Sequence, residues 1–360
     1  MAHSPNLAAY YEHPDSFRPL FTELDRRGVP HVRIDAGRFQ FNPTEGIANG
    51  RGEPGGPPVA GDRTLVFNRM SPSAWKRGRG DAILFTLHFL RQLERARVPV
   101  VNGVRAFTVE TSKALQLSIL ARLGLRAPRT RVANHPAVLP RAARALSFPL
   151  VVKPNIGGSG AGIVRFDRAE DLEDSVAQGL IPRSVDGILL LQEFHPPSGN
   201  SIVRVETLGG RYLYGIRVHM DDGAGYDLCP ADICKDVAGQ TLESAACPVG
   251  AVKAGLTVER FDPPPDIRAE VERIARASHL DVGGIEYLDS QRDGQRYYYD
   301  VNALSNFVAD PVRVVGFDPT ARLVDALVER AAAAARVPAA APRRVPAGAS
   351  VKRAIAGGRP

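Results

Sequence analysis

Residues 148–166 read Phe-Pro-Leu-Val-Val-Lys-Pro-Asn-Ile-Gly-Gly-Ser-Gly-Ala-Gly-Ile-Val-Arg-Phe, and no other stretch restricts the fold so tightly. A short apolar run ends in Lys153, a loop carries Gly157, Gly158, Ser159, Gly160 and Gly162, and a second apolar run follows. Two strand-like runs around a glycine loop predict a hairpin whose tip can lie close against a ligand. Bare glycine backbone exposes successive N–H groups that can cradle phosphate oxygens, and Lys153 adds a positive charge beside them. For the glycines alone, an ordinary flexible hairpin is the competing explanation. A Walker loop is excluded because no Gly-Lys-Ser or Gly-Lys-Thr occurs. A dinucleotide fingerprint needs its glycines between a strand and a helix, whereas residues 163–166 continue as strand.

A chain of 360 residues has room for two or three domains, each with its own core. Hydrophobic content of 44% suits a globular protein in water, with neither a membrane-spanning run nor a signal-peptide pattern, so a cytoplasmic location is expected. The net charge of +7 raises the question of nucleic acid. Residues 336–360, however, hold six basic residues and no acidic one, leaving 40 basic against 39 acidic in the rest. The body is therefore near neutral and lacks a basic footprint for nucleic acid. The Ala/Pro/Arg-rich tail is expected to be disordered. Cys229, Cys234 and Cys247 lack the spacing of a zinc site and are expected to be incidental thiols, although Cys229 and Cys234 flank Asp232 and could line a pocket.

Along the chain, helical spacing marks residues 15–28, with Gly28 as the stop, and strands are expected at 32–35 and 64–68. Between them, residues 46–61 are crowded with Gly and Pro and predict an exposed, mobile loop. A helix over 81–97, with Ile83, Leu84, Leu87, Leu90 and Leu93 on one side, precedes a strand at 98–102. This alternation predicts a small open α/β domain over residues 1–105. A helix follows after Lys113, with Leu115, Ile119, Leu120 and Leu123 as its buried stripe and Gly124 as its end; the hairpin and a helix at 169–178 come next. Residues 188–194 form a buried strand turning polar at Gln192 and Glu193, and Gly209-Gly210 joins strands at 201–208 and 212–219. A helix at 266–278 and strands at 283–288 and 296–301 precede a last helix capped by Asp318-Pro319.

The strands around 286 and 300 are joined by a segment containing Asp293-Gly294. A hairpin turning there sets Glu286 nearly opposite Asp300 and Asn302, which lie two apart on one strand and so share a face. Three oxygen donors without His or thiolate suit Mg²⁺ bridged to phosphates, and the ion would remove the repulsion between the facing carboxylates. A solvated polar sheet face is the alternative.

Glycine hairpin, hinge-like strand and acidic hairpin, in that order, resemble the ATP-grasp superfamily, and within it the RimK-type amino-acid ligases and glutathione synthetases. The resemblance runs over about residues 1–330 and includes Phe67-Asn68-Arg69-Met70, the 81–102 helix and strand, Ser112-Lys113 through Gly124, and Pro128-Arg129-Thr130. It implies an α/β (α+β) architecture: a pre-ATP-grasp domain at 1–105, a central ATP-grasp subdomain at 106–190, a C-terminal subdomain at 191–335 and the tail at 336–360. It further implies that Lys113 and Lys153 contact ATP, that the loop from Gly157 to Gly162, Ser159 included, closes over the phosphates, and that Gln192, Glu193 and Phe194 form the adenine hinge through backbone groups. Arg204 and Arg217 would hold the carboxylate and the charge of an acyl phosphate. Taken singly, either arginine could equally be a surface strand residue. Glu286, Asp300 and Asn302 match the family's ligands for Mg²⁺, with Mn²⁺ as a substitute.

Three departures stand out. Glu286 and Asp300 exchange the family's usual Asp and Glu, Ile202 replaces an Asp two residues before the first arginine, and Asn302-Ala-Leu-Ser-Asn306 replaces Asn-x-x-Pro-Gly. The last lies on the substrate side, so the family's amino-acid specificity does not transfer. Asp232, Lys235 and Asp236 fall in a stretch without a match and are candidates for substrate recognition. The expected activity is ATP-dependent carboxylate–amine ligation on amino acids, peptides or related metabolites, in a monomer or a homodimer. A phosphotransferase and a non-catalytic nucleotide-binding module are the alternatives.

Overall fold

The computed structural model describes residues 6–43, 64–158, 160–220 and 256–336. The Gly/Pro-rich stretch 46–61, Ser159, the three cysteines with Asp232, Lys235 and Asp236, and the tail from residue 337 lie outside the described residues. The chain begins with β1 (Asn6–Tyr11), α1 (Arg18–Arg26), β2 (His31–Asp35), β3 (Thr64–Arg69), α2 (Gly80–Arg95) and β4 (Val100–Val101). Two helices follow, α3 (Val104–Glu110) and α4 (Lys113–Arg122). Next come β5 (Thr130–Ala133), α5 (Leu139–Ala143), β6 (Leu150–Pro154), β7 (Val164–Phe166), α6 (Ala169–Ala177) and β8 (Leu189–Glu193). The remainder holds β9 (Ser201–Leu208), β10 (Arg211–Met220), β11 (Leu256–Arg260), α7 (Pro265–Ala277), β12 (Val282–Asp289), β13 (Arg296–Asn302), α8 (Pro311–Val315) and α9 (Pro319–Arg336).

Among the described residues the strands form three sheets. The first, in order β2-β1-β3-β4, is parallel throughout, and its apolar strands are covered on both faces as parallel sheets require. Ala8 and Tyr10 pack with Ile83, Phe89 and Leu90 of α2, whereas Leu7 and Ala9 face α1 together with Leu323, Val324 and Leu327 of α9. The last helix thus belongs to the core of the first sheet, although some 220 residues of chain separate it from β4. On α2 the buried face contains Phe89 instead of Leu84, which is 40% exposed; the aromatic cluster of Tyr10, Phe39 and Phe89 claims that side of the helix.

The second sheet, β5-β8-β6-β7, is antiparallel and contains the expected glycine hairpin, with Leu150 paired to Phe166 and Val152 to Val164. The third, β11-β10-β9-β12-β13, is also antiparallel. One of its faces packs on α7, with Ala106 and Val109 of α3 and Leu120 of α4 in the same core. The other face carries the polar residues described below. No described helix is long and apolar enough to cross a membrane.

Asn102, just after β4, joins the first sheet to the third. Its backbone adopts φ of 49°, and its side chain is almost fully buried. The amide donates to the carbonyls of Val282 and Ala303 and accepts from the N–H groups of Asp281 and Val282. Removing it strands four buried backbone groups, each expensive to leave unpaired. Asn102→Ala is expected to lower unfolding free energy by roughly 3 kcal/mol or more, measured as a fall in the urea midpoint.

Candidate active site

The polar face of the third sheet is built around two carboxylates. Antiparallel pairing of β12 with β13 sets Glu286 directly opposite Asp300, and Gly284 opposite Asn302. The register shifts just beyond Glu286, so that Tyr287 meets Tyr298 and Tyr299 is the extra residue. Such a bulge re-aims the side chains beside it. Facing carboxylates repel, and the fold answers with two cations. Arg204 pairs with Glu286 in register from β9; its Nη1 donates to Glu286 Oε1 at 2.8 Å, its Nε to Glu206 Oε1 at 2.6 Å and its Nη2 to Ser305 Oγ at 2.9 Å. Lys113 opens α4, which Ser112 caps by accepting the Leu115 N–H, and its Nζ lies 2.5 Å from Asp300 Oδ1.

These contacts act in opposite directions on the two acids. Burial raises the Glu286 carboxyl above its ordinary range, with Arg204 opposing. Burial would also raise Asp300, but Lys113 outweighs it and holds Asp300 below the usual value. Lys153, on β6 and 6% exposed, is drawn down to about 7 by burial and by the like charge of Lys113. Among the described residues its ammonium makes no hydrogen bond. Glu110, at the end of α3, is pushed up to about 7, chiefly by burial, and accepts from the N–H groups of Ala303 and Leu304.

Lys113, Lys153, Gly157, Gly158, Gly160, Arg204, Glu286, Asp300 and Asn302 line one cavity of about 150 Å³. The tip of the glycine hairpin reaches the loop after β3, where a Cβ on Gly158 would stand 3.1 Å from Ser73 Cβ. Only bare backbone fits that approach without displacing its neighbour. Gly162, at φ 73°, sits beside Pro154 and Pro182 and lies off the cavity wall.

Two expected groups are placed elsewhere. Arg217 pairs with Val203 and Glu259 in register, and its guanidinium lies 4.3 Å over the Phe261 ring. Arg204 pairs with Ile216, so strand alternation sends Arg217 to the opposite face, with Val203 and Tyr287. It therefore does not join Arg204 in the cavity. Gln192, Glu193 and Phe194 also lie off the cavity wall. Gln192 Nε2 donates to Thr130 Oγ1, and the Glu193 carboxylate accepts from Ser147 N–H and Arg129. The N–H groups of Glu193 and Phe194 are given to the carbonyls of Arg129 and Pro149, which removes both from the set of backbone donors for adenine.

Glu110 and Ser73 escaped the sequence patterns; each is a single polar residue at an element end or in a loop that only the fold brings to the cavity. Arg69, Ser305 and Asn306 lie in segments those patterns had marked, and of the three Asn306 lines the cavity. For a metal, the donors Glu286, Asp300 and Asn302 are all hard oxygens, and Asn302 Nδ2 is buried without a hydrogen-bond partner in its present orientation. That chemistry fits Mg²⁺ or Mn²⁺. No group of three or more His, Cys, Asp or Glu is placed to hold a metal among the described residues, so a site here would take the amide of Asn302 as its third donor. Arg204→Met leaves Glu206 and Glu286 buried without their cation and is expected to cost about 3–5 kcal/mol in urea unfolding at neutral pH.

No protein-family model matches the chain. Among curated proteins it is similar to a probable alpha-L-glutamate ligase of Marinobacter nauticus, 30% identical over 129 residues, which is 36% of this chain and 42% of that protein. A probable alpha-L-glutamate ligase of Teredinibacter turnerae is 27% identical over 200 residues, 55% of this chain and 65% of that protein. The chain thus spans about half the length of the curated relatives it matches. Among solved structures, the ATP-grasp ligase PsnB complexed with minimal precursor superposes with a TM-score of 0.61 at 19% identity, over 91% of this chain and 100% of that chain. D-cycloserine synthetase DcsG gives 0.57 at 18% identity, over 91% of this chain and 99% of the other. D-alanine–D-alanine ligase of Bacillus anthracis gives 0.57 at 14% identity, over 91% and 97%. These likenesses show that the chain has the ATP-grasp fold.

Proposed function

We propose that the protein is an ADP-forming carboxylate–amine ligase. One observation carries this: Lys113 and Lys153, the bare backbone of Gly157, Gly158 and Gly160 and the oxygen donors Glu286, Asp300 and Asn302 converge on one cavity. Cations and amides there suit polyphosphate, and the carboxylates suit the cation that accompanies it. Glu286, Asp300 and Asn302 would hold Mg²⁺ or Mn²⁺, which supplies charge neutralisation to the phosphates when bound. Lys113 exchanges its Asp300 contact for a phosphate oxygen, and Lys153 points an unshared ammonium at the same group. Ser159 and Gly162 complete the loop, with Gln192, Glu193 and Phe194 beside the adenine through the groups the sheet leaves free.

The chemistry is positional. A substrate carboxylate oxygen attacks the γ-phosphorus, the bond to ADP breaks, and an acyl phosphate forms. An amine then attacks the acyl carbon, the carbon–oxygen bond breaks, and phosphate leaves as the amine gives up a proton. Arg204 sets positive potential beside the transferring charge, while the hairpin tip against Ser73 keeps water from the intermediate. The relatives named as glutamate ligases, and the PsnB and MdnC structures solved with precursor peptides, support an amino-acid or peptide substrate. The need for ATP supports a cytoplasmic location, and analogy with the family supports a homodimer.

A screen of amino acids and short peptides as acid and amine pairs is expected to give ADP, free phosphate and an amide seen by mass. A phosphorylated product formed without an amine would establish the phosphotransferase instead, and ATP binding without turnover would establish the non-catalytic module. Lys153 adds a pH signature. With an empty-site value of about 7 it is mostly neutral at pH 8, and bound polyphosphate raises it. Mg·ADP binding at pH 8 is therefore expected to take up protons, measured by calorimetry in buffers of different ionisation enthalpy. Lys153→Met should remove that uptake, and below pH 6, where the lysine is already charged, the two proteins should agree.

A further inference from the structure

Among the described residues three carboxylates line the cavity, and two of them are paired there, Glu286 with Arg204 at 2.8 Å and Asp300 with Lys113 at 2.5 Å. The third is Glu110, the last residue of α3, which is 5% exposed and forms no ion pair among the described residues. Lys113 and Arg69 favour its charge through space, and Asp300 opposes it. Its two oxygens differ. Oε2 accepts from the N–H groups of Ala303 and of Leu304, the latter at 3.2 Å, whereas Oε1 accepts no hydrogen bond among the described residues. Oε1 is not sealed in the protein as the orphaned Asn302 Nδ2 is, and the surface it keeps meets the cavity.

The loop that Glu110 holds is fixed on its far side as well. The Ser305 hydroxyl sits between Arg204 and Glu206, and from β3 Arg69 donates through Nη2 to the Ser305 carbonyl at 2.5 Å and to Asn306 Oδ1 at 3.0 Å. Residues 302–306 are also where the chain replaces Asn-x-x-Pro-Gly, on the substrate side. Glu110 therefore stands at a rigid corner of the cavity, where the substrate segment begins, with one oxygen to spare.

A carboxylate left unpaired beside polyphosphate adds repulsion, and a cation placed on it removes that cost. In the ligation proposed above, nucleotide and acid both bring negative charge, and the metal has its own donors in Glu286, Asp300 and Asn302. The amine is the remaining cation, since a primary amine is an ammonium ion near neutral pH and donates to a carboxylate oxygen in a charge-assisted bond. We infer that Glu110 forms the amine subsite: Oε1 receives the ammonium group of the amine substrate and so selects charged primary amines over neutral nucleophiles. This rests on the ligase reading for its substrate. Through Oε2 the same side chain ties the subsite to the loop after Asn302, so the nitrogen is held at a fixed corner of the cavity.

The test uses the full chain at pH 8, where Glu110, pushed up to about 7, is mostly ionised. Butylamine, charged at that pH, and its neutral isostere butanol are titrated by ligand-observed NMR with saturating Mg·ADP, so that Glu286 and Asp300 are engaged. Butylamine is expected to bind about tenfold or more tightly than butanol. Glu110→Gln keeps the shape and an oxygen for the Ala303 and Leu304 N–H groups but removes the charge. It should bring the ratio down to about threefold or less, with the urea midpoint reporting the fold. Coupling with a water-soluble carbodiimide gives a reading on the wild type alone, in which peptide mass should show butylamine attached to Glu110. If the glutamine variant does not fold, the wild-type ratio and the labelled position decide. Equal affinity for the two probes, a preference that survives Glu110→Gln, or a label confined to other carboxylates overturns the assignment. Loss of the preference in Glu110→Gln alongside a product screen that yields only a phosphorylated acceptor would sink the ligase reading and leave a cation site at Glu110.

Discussion

Everything around the cavity follows from placing Glu286 and Asp300 face to face on adjacent strands. Two facing carboxylates, Glu286 buried and Asp300 half-buried, are unfavourable at that spacing unless cations offset them, and the molecule supplies one for each. Arg204 comes from the same sheet and has a partner at Nε and at both terminal nitrogens. Lys113 comes from a helix outside the sheet and makes a single short contact with Asp300. The two pairs therefore differ in kind. The arginine is part of the framework that holds Glu286, Glu206 and Ser305 together, whereas the lysine ammonium has Asp300 as its one hydrogen-bond partner among the described residues.

That asymmetry fits a site that has to receive a highly charged ligand. Lys153 is buried and drawn down to about 7 by burial and by Lys113, so part of the positive charge beside the glycine loop is absent at neutral pH while the site is empty. Storing two full ammonium charges close together in a buried place would cost stability continuously. Letting one of them lose its proton removes that cost until an anion restores it.

The hairpins and the acidic pair were legible because both rest on local rules. Period-two alternation and turn glycines locate strands, and antiparallel geometry then decides which residues face each other. The same alternation shows why Arg217 misled. Its place on a strand was sound, but whether it shares a face with Arg204 depends on a register of one residue, which Gly209-Gly210 alone does not determine. The side chains of α2 show the companion effect, since Phe89 displaces Leu84 from the core through contacts with Tyr10 and Phe39 from distant segments. Glu110 was beyond reach for a different reason, and so was the pairing of Arg69 with Asn306, although both lie in segments the sequence had singled out. Each acts on a loop that only tertiary packing delivers, and a lone polar residue has no period to betray it. Linear segmentation near residues 105, 190 and 335 likewise gives no hint that α9 closes the core of the first sheet or that α3 and α4 pack on the third.

The approach of Gly158 to Ser73 leaves less room than a methyl group needs. The hairpin belongs to the second sheet and the serine to the loop after the first, so the loop can seat itself only when both are folded and correctly disposed. The first sheet in turn is complete only when α9, near the end of the chain, has docked. Seating of the loop thus registers the docking of α9, and a chain still emerging from the ribosome would hold every residue of the cavity wall before it could close the cavity.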